Sequence, residues 1–250
     1  MILNIDNINI NEIYKTYFES LNIEYIEDKN NLIIENTVKF EKVIPVSYSV
    51  CSTLCEQIIY FLQILKQYNY SIIDFNPIYF EIGYTSSKNK QTGGSQNTRI
   101  ENKEMDVEFH NHESMYLETN TQIPFIILKD TQLIVSLNPQ NDTFMIDFNT
   151  YSSLKNTMLK AHQNYNNFNF YHNSILAKIN QKDVNDILIK ESYLSIAIFF
   201  CYILLSPTNK LNSVNDVKKE LKMYIFNTPL YFCIERLLEE DPEDRFLFII

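Results

Sequence analysis

The stretch Ile72-Ile73-Asp74-Phe75-Asn76-Pro77 decides how the chain is organised, because it joins two segments with different patterns. Before it, apolar residues recur every three or four positions over residues 51–68, which predicts an amphipathic helix. After it, residues 78–82 are rich in β-branched and aromatic side chains, which predicts a strand. A turn with Asp74 as its only charged residue therefore connects a helix to a strand.

The residues before this junction predict a small α/β domain over residues 1–49. Apolar and polar residues alternate over 2–10, which favours a strand or an extended arm, and Asn11 can cap a helix that follows at 13–21. Further segments rich in β-branched and aromatic residues predict strands at 23–26, 31–35 and 37–46. The period changes from two to about 3.6 near residues 46–50, and the predicted domain boundary lies there.

The residues after the junction predict a mainly helical domain over 50–250, interrupted by a polar insertion at about 83–121. The insertion has few apolar residues, so we expect a mobile loop that tolerates deletion. Within it, His110 and His112 stand two residues apart, but no third ligand follows at a metal-binding spacing. Apolar patterns then predict strands at 124–128, 132–137 and 144–148, and helices at 187–205, 214–224 and 231–238. The predicted fold class is α+β.

Composition and charge exclude two classes of partner. The chain is 45% apolar and 21% charged, as in globular proteins. Its formal net charge is −10 and no cluster of Lys and Arg occurs, which argues against a binder of nucleic acid or of anionic membranes. The longest apolar run, residues 195–205, is well short of the roughly 20 residues that a spanning helix needs. We therefore expect no nucleic-acid partner and no membrane span.

The cysteines and the first residues of the chain predict a cellular compartment. Cys51, Cys55, Cys201 and Cys233 lie in apolar or helical stretches without CxxC spacing. Residues 1–11 have no positively charged segment and no long apolar run, unlike a signal peptide. These features are typical of reduced core cysteines in an intracellular, cytoplasmic protein, and that is the location we expect.

Three short motifs, in family order, resemble protein kinases. The helix, the Asp74 turn and the strand after it resemble the kinase catalytic loop. Residues 144–149, Phe-Met-Ile-Asp-Phe-Asn, resemble the strand that enters the Asp-Phe-Gly turn. Residues 237–245 resemble the segment in which a late helix ends at Asp-Pro and an Arg follows. The resemblance implies a protein-kinase-like fold with a mainly helical C-lobe and a reduced N-terminal α/β lobe.

The same resemblance implies roles for individual residues. Asp74 corresponds to the catalytic Asp that orients the hydroxyl nucleophile, and Asp147 to the Asp that binds the metal ion. Arg245 corresponds to a structural Arg, which we expect to pair with a carboxylate. Ser192 or Tyr193 stands where the family has an Asp that anchors the backbone of the catalytic loop.

The chain departs from the kinase pattern at most positions that would contact the nucleotide. No Gly occurs before Gly83, so no glycine-rich loop can cover the phosphates. Asn76 stands where the family has a phosphate-contacting Lys, and Tyr79 where it has a metal-binding Asn. Asn149 replaces the Gly of the Asp-Phe-Gly turn, although Asn tolerates a positive φ better than most residues.

The candidates for the ATP-contacting Lys are Lys39 and Lys42, on a predicted strand, but neither has the Val-Ala-Ile-Lys context. Loss of one preorganised electrostatic contact typically costs about 3 kcal/mol of transition-state stabilisation. Several such losses together leave little catalysis. We therefore expect no resident cofactor, with Mg-ATP bound only if residual affinity persists.

The sequence thus predicts a catalytically impaired, pseudokinase-type protein that acts as an interaction or scaffold module and binds a protein partner. Two alternatives stay open. One is a divergent active serine/threonine protein kinase that transfers the γ-phosphate of ATP. The other is a structural subunit of a larger assembly.

Overall fold

The computed structural model describes residues 1–4, 7–29, 31–85, 123–162, 188–205 and 211–247 of the 250-residue chain. Within these ranges the protein combines helices with short antiparallel sheets, which confirms the α+β class. The helices are α1 Ile8–Ser20, α2 Tyr48–Gln67, α3 Phe148–His162, α4 Ile189–Leu205, α5 Val214–Ile225 and α6 Pro229–Leu237. The strands are β1 Ile2–Asn4, β2 Ile26–Asp28, β3 Asn31–Ile33, β4 Val38–Lys39, β5 Tyr70–Ile72, β6 Phe80–Tyr84, β7 Pro124–Leu128, β8 Ile134–Asn138 and β9 Thr143–Met145.

The described strands form three small sheets, with strand orders β1-β3-β2, β4-β6-β7 and β5-β8-β9. All of their pairings are antiparallel. The predicted insertion begins later than expected, because Gly83 and Tyr84 belong to β6. Its residues from 86 onward, including His110 and His112, lie outside the described residues.

The predicted elements before residue 50 are mostly present, but several bounds are wrong. β1 ends at Asn4, and α1 is capped by Asn7, whose side chain accepts a hydrogen bond from the Asn9 N–H at 2.9 Å. The cap predicted at Asn11 therefore lies inside the helix. The predicted strand 37–46 is reduced to β4, because the chain turns at Phe40 to bury that ring completely.

Helix α2 begins earlier than the apolar pattern predicts. Ser47 is its cap, accepting a hydrogen bond from the Val50 N–H at 3.3 Å. The helix ends at Gln67, and Asn69 then adopts a φ of 59°, a left-handed turn that Asn tolerates well. This turn sends the chain directly into β5, and Asp74 follows.

The outer edge of β7 is hydrogen bonded by a side chain of α2. Of the described strands only β6 pairs with β7, yet residues 125–128 are all buried. The Gln57 amide, 5% exposed, donates to the Pro124 carbonyl at 2.7 Å and accepts from the Ile126 N–H at 3.2 Å. One side chain therefore makes both kinds of bond that a neighbouring strand would make.

Helix α1 also forms hydrogen bonds with the outer edge of β7. The Tyr17 hydroxyl donates to the Ile126 carbonyl at 2.9 Å, and the Tyr14 hydroxyl donates to the Leu128 carbonyl at 2.6 Å. Burial raises the pKa of both phenols above their ordinary value, so both stay protonated and remain donors. Two helices from different parts of the chain are thus bonded to one strand edge.

The C-terminal helices pack around α4, whose residues are largely buried as predicted for 187–205. Phe199 of α4 stacks on Phe40 with ring centroids 5.7 Å apart, so the apolar core is continuous across residue 50. Among the described residues, no helix is long and apolar enough to cross a membrane. The strand predicted at 144–148 is shorter, because Phe148 already belongs to α3.

We expect Gln57→Leu to destabilise the protein by about 3 kcal/mol, because a buried N–H and a buried carbonyl of β7 lose their partners. Urea denaturation of the purified variant measures this change. Gln63→Leu is the matched control, since Gln63 is exposed on the same helix, and we expect a change within about 0.5 kcal/mol. Equal midpoints for the two variants would contradict the assigned role of Gln57.

Candidate functional site

Asp74 lies two residues after β5, in a stretch where every residue from 71 to 77 is buried. Its side chain is 1% exposed, and Oδ2 accepts a hydrogen bond from the Tyr79 hydroxyl at 3.2 Å. Tyr79 stands at the position where kinases have a metal-binding Asn. The predicted catalytic carboxylate is therefore covered by the chain itself.

The electrostatics of this pair favour a neutral tyrosine. Burial raises the pKa of Tyr79 well above its ordinary value, and the negative charge and hydrogen bond of Asp74 raise it further. Tyr79 consequently remains a proton donor at any physiological pH. Its hydroxyl contributes a hydrogen bond to Asp74 and no negative charge that could hold a cation.

The backbone beside Asp74 is anchored to α4. The Phe75 N–H donates to Ser195 Oγ at 3.1 Å, and the Ser195 hydroxyl donates to the Ser192 carbonyl at 2.7 Å. Ser195 lies three residues after Ser192, which together with Tyr193 stands where the sequence departs from the anchoring Asp of kinases. The Ser192 hydroxyl bonds instead to the Ile189 carbonyl within α4, at 2.7 Å.

Asn76 closes the other side of the loop. Its side-chain oxygen accepts from the Ile78 N–H at 3.2 Å and caps the short 3-10 helix Pro77–Tyr79. Its side-chain nitrogen donates to the Ala161 carbonyl in the last turn of α3 at 3.1 Å. The residue that replaces the phosphate-contacting Lys thus has a structural role.

Asp147 is exposed and caps helix α3. Oδ1 accepts from the Asn149 and Thr150 N–H groups, each at 3.0 Å, and Oδ2 accepts from the Thr150 hydroxyl. The hydrogen bond from the Thr150 hydroxyl is the main reason that the pKa of Asp147 is lowered, and the backbone N–H groups add to it. The expected Asp-Phe-Gly-type turn is wrong, because Phe148 and Asn149 form the first turn of a helix.

The sheet directs the two carboxylates to the same end, where their environments differ. β5 and β9 both pair antiparallel with β8, so they run in the same direction, and Asp74 and Asp147 each follow by two residues. Asp74 is buried against Tyr79, whereas Asp147 is exposed at the helix end. Among the described residues, no group of three or more His, Cys, Asp and Glu is arranged to hold a metal ion.

Asp130 lies near this site and was not singled out from the sequence. It follows β7, and its charge contributes to the raised pKa of both Tyr79 and Tyr14. The adjacent Lys129 N–H donates to the Tyr79 carbonyl at 2.9 Å, which joins the two segments. The sequence signal that could have identified Asp130 is its place two residues after the buried apolar strand β7.

The remaining residues with predicted roles are Lys39, Lys42 and Arg245. Lys39 and Lys42 are both exposed, on β4 and on the 3-10 helix that follows. Arg245 is 2% exposed, and its guanidinium donates to the carbonyl groups of Glu239, Glu240 and Lys190. Its burial and these carbonyl contacts agree with the expected structural role.

The cysteines agree with the expectation of reduced core residues. All four are buried thiols. Burial raises the pKa of the Cys51 and Cys201 thiols above the ordinary value, which keeps them protonated and poorly nucleophilic.

Comparison with known proteins adds no family assignment. No model of a protein family matches the chain, and a search of curated proteins found no match. Function is therefore inferred from the motifs and from the side-chain geometry described above.

We expect the stabilising effect of Asp147 to depend on pH. Because its pKa is lowered in the folded protein, its contribution is fully present above the unfolded value of about 3.9 and is lost as pH falls through the folded value. Asp147→Ala should therefore lower the melting temperature at pH 7 much more than at pH 2.5. Thermal denaturation monitored by circular dichroism across this range measures the difference.

Two further variants serve as controls for this pH series. Asp147→Asn keeps an acceptor for the helix N–H groups without the charge, so its loss at pH 7 should be smaller than that of Asp147→Ala. Asp28→Ala, at an exposed position of β2, should shift the melting temperature little at either pH. A loss for Asp147→Ala that is the same at both pH values would show that the carboxylate charge has no part in capping.

Proposed function

We propose that this chain is a catalytically impaired, protein-kinase-like protein of the pseudokinase type, which acts as an interaction or scaffold module for a protein partner. One observation carries the proposal. Both carboxylates that correspond to the kinase site are engaged in structural hydrogen bonds, Asp74 with Tyr79 and Asp147 with the first turn of α3.

Phosphoryl transfer needs these groups in other roles. The catalytic Asp must come within hydrogen-bond reach of a substrate hydroxyl, and the second Asp must ligate the metal ion beside the phosphates. Asp74 could meet a substrate only if its loop moved away from Ser195 and Ala161, to which Phe75 and Asn76 are bonded. Asp147 already accepts three hydrogen bonds in the cap of α3, so a metal ion would compete with the cap for this carboxylate. Opening the Asp74 loop costs hydrogen bonds before any substrate is bound.

Three features support the kinase-like part of the proposal. Asp74 and Asp147 follow parallel strands at one end of the β5-β8-β9 sheet. A buried side chain of α4, Ser195, holds the backbone beside Asp74, as the anchoring Asp does in the family. Arg245, which follows Asp241-Pro242, is buried, and its side chain donates to the Glu239 carbonyl just after α6.

An exposed apolar surface supports the interaction role. Met223, Phe226 and Phe232 are 64%, 59% and 48% exposed, and we call this group the aromatic patch. The rings of Phe226 and Phe232 each lie 5.4 Å from the buried ring of Tyr231, and Met223 lies three residues before Phe226. Clustered apolar side chains of this kind often mark contact surfaces for other proteins.

We expect Mg-ATP to leave the melting temperature unchanged at millimolar concentration. A nucleotide at a hundred times its Kd would stabilise the fold by about 2.7 kcal/mol, which is easily detected. We also expect no transfer of labelled γ-phosphate to protein substrates, with an active kinase assayed in parallel as the control. Phosphate incorporation that Asp74→Asn abolishes would instead favour the divergent active kinase.

We expect the aromatic patch to be required for partner binding. Met223→Lys combined with Phe232→Lys should abolish co-purification of the proteins that the wild-type chain captures, because each lysine interrupts the apolar contact. Ile26→Lys, at a position 55% exposed on β2, is the matched control and should retain them. Quantitative mass spectrometry of the captured proteins makes the comparison, and capture unchanged by the double substitution would contradict the proposal.

A further inference from the structure

A pocket of about 170 Å³ lies between α2, β5 and the first turns of α4. Its apolar lining includes Ile59, Leu62 and Ile189, which are all less than one tenth exposed, and Leu247 from the end of the described chain. A cavity of roughly 150 Å³ with apolar walls is large enough to bind benzene. The pocket therefore has the size and walls for a single six-membered ring.

Ser71 supplies an unusual polar group in this apolar lining. The residue is 1% exposed, and its hydroxyl has no hydrogen-bond partner among the residues that the structure describes. Its backbone is used in the pairing of β5 with β8, opposite Val135. Because a buried hydroxyl without a partner costs free energy, the side chain is available to a ligand that brings its own donor or acceptor.

The charges around the pocket favour a neutral ligand. Lys66 lines the pocket and is exposed, but its Nζ lies 3.4 Å from Asp142 Oδ1, so its charge already has a counter-ion. Tyr193 also lines the pocket, and burial together with the nearby Asp142 charge raises the pKa of its phenol to about 12. Neither side chain provides an uncompensated charge for an ionic ligand.

We propose that this pocket binds a small neutral molecule with an apolar body the size of one six-membered ring and a single hydroxyl group. The ring lies among Ile59, Leu62 and Ile189, and the hydroxyl forms a hydrogen bond with Ser71. Phenol is the probe that fits this description. The proposal is independent of the kinase-like reading of Asp74 and Asp147, since it uses none of their contacts.

The test compares phenol with toluene and benzoate on the full chain. Toluene has the shape of phenol and is more apolar, so a pocket without a polar partner prefers toluene, whereas Ser71 should make phenol bind at least as tightly. Benzoate should bind more weakly than either, because Lys66, the cation in the described lining, is already paired with Asp142. Titrations followed by the methyl NMR signals of Ile59, Leu62 and Ile189 report binding at this pocket.

The second part of the test removes the Ser71 hydroxyl. Ser71→Ala should weaken phenol binding about fivefold, the effect of one lost hydrogen bond, and leave toluene binding unchanged. Ser152→Ala, on α3 outside the pocket, is the matched control and should alter neither. The proposal is wrong if the three methyl signals do not saturate with phenol, if wild-type protein prefers toluene, or if a folded Ser71→Ala protein binds phenol as well as wild type.

Discussion

The outer edge of β7 is hydrogen bonded by side chains and not by another of the described strands, and the centre of the molecule depends on these bonds. Gln57 bonds one end of the edge and Tyr17 and Tyr14 bond the other, so α1 and α2 are both attached to the same strand. A buried strand with open N–H and carbonyl groups would be costly. The three side chains therefore couple the N-terminal elements to the rest of the fold through polar contacts inside an apolar core.

The same arrangement explains why Asp74 is buried. Helix α2 is held against β7, and β7 pairs with β6. The residues between α2 and β6, which include β5 and Asp74, are therefore confined between that helix and that strand. Ser195 Oγ and the Ala161 carbonyl then accept hydrogen bonds from Phe75 and Asn76, the two residues after Asp74. These bonds hold the loop on both sides, and Asp74 is 1% exposed within it.

Asp74 and Asp147, the two carboxylates that resemble those of kinases, both accept hydrogen bonds within the fold. Asp147 gains two backbone N–H groups and a hydroxyl at a helix N-terminus, where the helix dipole also favours a negative charge. Asp74 accepts a hydrogen bond from a phenol that stays neutral. The cap of α3 favours the ionised form of the Asp147 carboxylate. An interaction role through the aromatic patch is compatible with such a structure, because it requires no movement of either residue.

The sequence by itself determined the elements whose apolar residues follow one period. Helices α2, α4, α5 and α6 and strand β7 all lie close to their predicted bounds, since burial of one face or of a whole strand leaves a pattern in adjacent residues. Only the tertiary structure decided what the polar side chains do. Asp-Phe-Asn-Thr after β9 suits either a turn or a capped helix, and packing of α3 selects the helix. Gln57 meets Ile126, and Ser195 meets Phe75, across separations at which no local pattern records the contact.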